Sequence, residues 1–205
     1  MGSSMARGAA PEVAGDGRRD RRDRNRETVV DAMLSLYRDG RLAPSSDEIA
    51  ERAGLSPRSL FRYFDDIDDL VRTAIDRHLE RVRPTWLLKI DPAEPAEQRI
   101  KSLVAQRLKM FDAMSFVGVI SRIRAPFQPI VAEQLAEIRA FLRNQIRELL
   151  APELELLDAA TAANVLGAID VLCSFESYQL LRLDQGFGRA RAGAVMTDAL
   201  TRLLS

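Results

Sequence analysis

Between positions 58 and 63 the chain reads Arg-Ser-Leu-Phe-Arg-Tyr, so Arg58, Ser59, Arg62 and Tyr63 bring two permanent cations and two hydroxyls close together. A guanidinium fork pairs with guanine O6 and N7 or with phosphate oxygens, and hydroxyls suit phosphate oxygens. The four side chains could form a nucleic-acid-contacting surface if one element turned them to the same side. A helix over 57–64, at about 100° per residue, does so. Arg58, Ser59, Arg62 and Tyr63 fill one arc; Leu60, Phe64, Pro57 and Phe61 fill the opposite one. A helix this short is unstable alone, so neighbouring helices must clamp its apolar arc. The alternative reading is a surface helix whose arginines only solvate it.

The flanking residues supply that framework. Ser56 is suited to cap the helix, and Pro57 falls at the first helical position, where its missing N–H costs nothing. Ala50 and Gly54 lie four apart, small enough for the steep crossing of a helix-turn-helix, with Leu55 plugging the turn. Gly54 can take the left-handed conformation that ends the preceding helix. Ser45 or Ser46 caps that helix, which carries Ile49, Ala50 and Ala53. Val30, Met33, Leu34 and Tyr37 stripe a first helix stopped by Asp39-Gly40. Ile67, Leu70, Val71, Ala74, Ile75 and Leu79 stripe a fourth, ended by Pro84.

The 205 residues allow one large domain or two small ones. Charge balances at 30 basic and 30 acidic residues, with 46% of positions apolar. That composition fits a folded globular chain and excludes a highly basic nucleic-acid coat, though not a local basic surface. Residues 1–17 are small and aperiodic, expected as a disordered tail. "RRDRRDRNRE" (18–27) follows with six arginines, readable as a solvated helix start or as a basic arm touching phosphates. Cys173 is the only cysteine, which forbids an intrachain disulfide and suits a reducing compartment. No signal-peptide or bilayer-length apolar run is present, and a cytoplasmic location is expected.

"SSDEIAERAGLSPRSLFRYFDDIDDLVRTAI" (45–75) resembles the DNA-binding domain of TetR-family transcriptional regulators. The family pattern is a serine or threonine before an Ile-Ala helix, then Ala-Gly-[Val/Leu]-Ser, a recognition helix ending in Tyr-Phe, and a long fourth helix. The resemblance covers roughly residues 25–80. It implies DNA contacts at Ser46, Ser56, Arg58, Ser59, Arg62 and Tyr63, with Tyr63 on a phosphate. One position departs from the pattern. Where the family usually carries a phosphate-binding lysine, this chain has Ile67, flanked by Asp65, Asp66, Asp68 and Asp69. Acids there offset the dipole of the fourth helix; chelation of Mg²⁺ or Ca²⁺ is the other reading, without further support. Phosphate binding on that flank is expected to be weaker, with the arginine arm in compensation.

The expected fold is all-α: a helix-turn-helix domain over 18–82 and a larger helical domain over 83–205, after a proline-rich linker at 83–98. In the second domain, Ile100 to Phe111 and Phe116 to Ile123 read as two helices. Val131 to Leu149 read as one, 158–183 as another, and 189–204 as the last. The resemblance implies that this domain binds a small-molecule inducer and forms a homodimer. The helices at 158–183 and 189–204 have apolar faces suited to a symmetric four-helix interface.

Polar residues interrupt the apolar stripes at Arg107, Gln134, Asn144 and Glu176. Arg107 and Glu176 are expected to pair with each other or to reach solvent. Otherwise they would line a pocket with Phe111, Met114, Phe116, Phe141 and Cys173, Arg107 suiting an anionic group. His78 is expected exposed or half-packed near the end of the fourth helix and Cys173 in the core, neither of them a ligand. There is no catalytic constellation, metal-ligand spacing or phosphate loop, so neither an enzyme nor a cofactor is expected.

The functional expectation is a ligand-responsive repressor that a small molecule releases from a palindromic operator. The alternative is a helical protein-interaction module with weak or no sequence-specific DNA binding.

Overall fold

The computed structural model describes residues 16–204. The tail expected over 1–17 lies outside the described residues except for its last two positions, which open the first helix. No strand occurs among the described residues, and the chain is all-α as expected. It divides into two compact units, residues 1–74 and 75–205, with the division falling inside one helix.

In the first unit, α1 (Asp16–Arg38) buries Val29, Val30, Met33, Leu34 and Tyr37 on one face. Arg19, Arg21, Arg22, Arg24 and Arg26 in its first half are exposed. Gly40 turns the chain just after α1, at φ 81°. The short α2 (Ser46–Ala53) carries a capping box: the Ser45 hydroxyl accepts from the Glu48 N–H, and the Glu48 carboxylate accepts from the Ser45 N–H. Arg52 donates to Ser35 and Asp39, at 2.8 and 2.7 Å, and so pins α2 to α1. Then come α3 (Pro57–Leu60) and the start of α4 (Ile67–Val82). Leu70, Val71 and Ala74 of α4 are buried.

Two of the four aspartates before and within α4 have local roles at the helix start. The Asp66 carboxylate accepts from the Asp69 N–H at 2.7 Å, which satisfies one of the free donors at the helix start. Asp69 in turn pairs with Arg72 at 2.5 Å.

The second unit begins in α4, passes a 3-10 turn at Arg83–Trp86, and is built on α5 (Ala96–Arg124) and α6 (Pro129–Leu149). The two helices expected over 100–123 are one. No proline interrupts the chain between Pro95 and Pro126, and Gly118 is tolerated within the helix. After α7 (Ala151–Leu154) comes α8 (Ala159–Leu172), which Asp158 caps through the Ala160 and Thr161 N–H groups.

The single helix expected over 158–183 is broken. Ser174 adopts extended backbone (ψ 159°), and its hydroxyl caps α9 (Phe175–Gln179) through the Ser177 N–H. The chain bends there by 46° before a wide π turn at Leu180–Asp184 and α10 (Arg189–Leu203). Leu103, Met110, Phe111, Ile146, Ile169, Phe175 and Met196 belong to one apolar core.

Candidate nucleic-acid interface and cavity

The recognition segment is set by its two ends. Gly54 closes α2 in the left-handed region (φ 68°). The Leu55 N–H returns to the Ala50 carbonyl at 2.8 Å and the Gly54 N–H to Glu51 at 3.1 Å, the hydrogen-bond pair of a Schellman stop. Ser56 then caps α3 through the Ser59 N–H, with Pro57 at the first helical position. The α-helix is shorter than the sequence suggested. After Leu60 the chain winds more tightly, Arg62 N–H to Ser59 at 3.2 Å and Tyr63 N–H to Leu60 at 2.9 Å.

That winding corrects the expected apolar arc. Leu60 and Phe64 are fully packed, at 0% and 2% exposure, but Phe61 is 48% exposed and Pro57 is also in solvent. Phe61 sat at the edge of the arc, and because the α-helix ends at Leu60 the 100° spacing no longer holds for the residues after it.

The polar arc is open. Arg58 and Arg62 are exposed and make no hydrogen bond or ion pair to another described residue. Ser59 is half-buried, its hydroxyl 2.9 Å from that of Ser56. Ser46 is the first residue of α2 and half-buried. The half-buried Tyr63 accepts a hydrogen bond from Asn25 Nδ2 at 2.8 Å.

The sequence offered the arginine run 18–27 as a possible arm without placing it beside Tyr63. Arg21, Arg22 and Asn25 of α1 join Arg62 and Tyr63 around a concavity of about 500 Å³ whose lining contains three guanidinium groups and no carboxylate. The spacing 21, 22, 25 puts these side chains on one face of α1, which was the available signal. Arg26 stacks over Phe64, 4.8 Å from the ring centre, and ties the arm to the packed side of the segment.

The second unit holds a cavity of about 320 Å³. Its wall is Met110, Phe111 and Met114 from α5, Leu135, Ile138 and Leu142 from α6, and Cys173 with Phe175 at the helix break. Arg122, Arg139, Arg143, Asp170 and Glu176 supply the charged part of the lining. Of the residues expected to form a pocket, Phe111, Met114, Cys173 and Glu176 line this one. Phe141 is 43% exposed and outside the lining, and Phe116 stacks on His78 at 4.9 Å.

The expected pairing of Arg107 with Glu176 is not formed. Glu176 instead takes two hydrogen bonds from Arg122, at 2.9 and 3.0 Å, and one from Arg139 at 2.5 Å. Burial alone would raise the Glu176 carboxyl, but hydrogen bonds and charge from Arg122, aided by Arg139, hold it at about 2. Arg122 also lies 4.4 Å over the Phe175 ring.

Arg107 neither reaches solvent nor meets a carboxylate. Fully buried, it donates to Gln106 Oε1 at 2.9 Å, Gln145 Oε1 at 3.0 Å and the Leu142 carbonyl at 3.0 Å, while its Nε has no partner. Burial lowers its pKa to about 10. The two glutamines reach on to the Thr85 and Trp86 carbonyls, so the buried cation joins α5 and α6 to the turn after α4. Burial pushes the Cys173 thiol up to about 12, against a smaller opposing pull from Arg107. Among the described residues no cluster of His, Cys, Asp and Glu could hold a metal ion.

A capped helix-turn-helix with outward-facing cations on its outer arc, carried by an all-helical chain, has the geometry of a DNA-contacting unit. Residues 35–74 match the family model described as "Bacterial regulatory proteins, tetR family".

The whole fold is similar to solved regulators. A transcriptional regulator from Rhodococcus sp. Rha1 superimposes with a TM-score of 0.67 at 14% identity, over 87% of this chain and 95% of its own. A TetR-family transcriptional regulator from Streptomyces coelicolor gives 0.66 at 20% identity, over 88% and 80%. The multidrug binding protein EbrR, solved with imidazole, gives 0.52 at 19% identity, over 88% and 95%. No curated protein sequence matches the chain.

Proposed function

We propose that the chain is a cytoplasmic, homodimeric repressor that leaves a palindromic operator when a small molecule occupies the cavity of its second unit. One observation carries the DNA half of this reading. Arg58 and Arg62 stand exposed, with no partner among the described residues, on a segment whose opposite side, Leu60 and Phe64, is fully buried. Ser46, Ser56, Arg58, Ser59, Arg62 and Tyr63 form the contact set. Arg21 and Arg22 add a phosphate seat that makes up for Ile67, and residues 18–82 act as the DNA-binding domain. Two copies place their recognition segments in successive major grooves about 34–36 Å apart.

Dimerisation is supported by apolar surface on α8 and α10. Val171 is 65% exposed, and with Gly167, Ala168, Leu172, Ala199 and Leu203 it forms an apolar groove suited to a second copy. Ligand response is supported by the cavity in residues 83–205 and by a shared fold with a protein described as multidrug-binding.

Operator selection from a random duplex pool, with sedimentation of the bound species, tests the reading. It expects an inverted repeat with half-sites about one helical turn apart, bound by a multiple of two chains. A monomer on unselected sequence would contradict it and favour a protein-interaction module.

A further inference from the structure

We propose, on the ligand-responsive reading above, that the cavity takes an amphipathic anion. Its apolar body would lie against Met110, Phe111, Met114 and Phe175, and its carboxylate would bind where Arg122 and Arg139 now hold Glu176.

The charge around the cavity selects the sign of the ligand. Arg122, Arg139 and Arg143 face Asp170 and Glu176, three cations against two anions, and both anions are already paired. Behind the wall sits the buried Arg107, with no carboxylate partner, and its charge acts on Cys173, which lines the cavity. A cationic ligand would meet this excess and would have to draw Glu176 away from two guanidinium groups. An anion finds donors ready. A guanidinium carries five N–H groups; Arg139 gives one to Glu176 and Arg143 one to Asp170, and both side chains are half exposed. Glu176 thus acts as an internal occupant of the seat, to be displaced by a ligand carboxylate of the same shape.

The cavity's volume of about 320 Å³ lies at the small end of ligand sites. It suits an acid of about ten carbons.

Calorimetric titration of the full chain with decanoate, decanol and decyltrimethylammonium tests this, since the three share an apolar body and differ in head group. Decanoate is expected to bind at least tenfold more tightly than the other two. Glu176→Gln is expected to strengthen decanoate binding about tenfold by vacating the seat, and Arg139→Gln to weaken it about tenfold, thermal unfolding confirming that both variants fold.

The inference is overturned if the decyl cation binds best and loses affinity in Glu176→Gln. Equal affinity for all three probes, or no decanoate binding to either wild type or Glu176→Gln, also overturns it. Operator release is measured separately. Release by the cation alone would leave ligand response standing and remove the anionic class; decanoate binding without release would do the reverse.

Discussion

Asn25 and Tyr63, on separate elements, meet through a 2.8 Å hydrogen bond in which the amide donates and the phenol oxygen accepts. The phenol hydrogen is left to donate outward, beside Arg21, Arg22 and Arg62. If that hydrogen meets a DNA phosphate, Tyr63→Phe should weaken operator binding by about 1.5–3 kcal/mol without changing the salt slope, because no charge is lost. Fluorescence anisotropy at several salt concentrations checks this. Arg21→Ala should instead lower the slope by about 1.

Ile67 stands where the TetR pattern usually has a phosphate-binding lysine. Ile67→Lys should tighten binding to all duplexes alike and steepen the salt dependence by about one unit. Unchanged affinity and slope on unrelated duplexes would show that the position does not face the backbone.

The burial of Phe64 and the exposure of Phe61 predict unequal roles for these two aromatics. Phe64→Ala should destabilise the first unit by about 3–5 kcal/mol. Phe61→Ala, at a site 48% exposed, should cost under about 1 kcal/mol. Urea unfolding read by circular dichroism distinguishes the two.

Glu176 gives a pH signature. Its carboxyl lies at about 2 in the folded chain against an ordinary 4.5. The group therefore contributes stability that is fully present above pH 4.5 and is lost as pH falls through 2. Wild type should lose its advantage over Glu176→Gln between those limits in denaturant titrations, and Arg122→Ala should shift the loss to higher pH.

Cys173 should resist alkylation. Buried, with its thiol pushed up to about 12, it should react with iodoacetamide at pH 8 only as fast as the fold opens. Mass spectrometry with and without denaturant measures the difference.

The local signals were legible wherever one residue type has one job. Gly54, Ser56 and Pro57 announce a helix stop, a cap and a first turn, and each occupies that place. The apolar stripe of α1 was equally plain. What could not be read depends on contacts distant in sequence. The end of the α-helix at Leu60 is a backbone choice hidden from a 100° wheel. The partner of Glu176 is Arg122, 54 positions away, rather than Arg107, because α5 turns the two arginines toward different neighbours. Ser174 breaks a helix that its apolar flanks seemed to continue, since a hydroxyl capping the Ser177 N–H competes with helical bonding. Arg21, Arg22 and Asn25 were visible as a basic run, but their meeting with Tyr63 required the fold.

The central claim is that the outer arc of residues 58–63 is a DNA-contacting surface, and salt-dependent affinity tests it most directly. On a selected operator, log K should fall linearly with log salt for wild type. Arg58→Ala and Arg62→Ala should each lower the slope by about 1 and weaken binding by about 1–3 kcal/mol while leaving thermal stability unchanged. Identical slopes and affinities for wild type and both variants would contradict it.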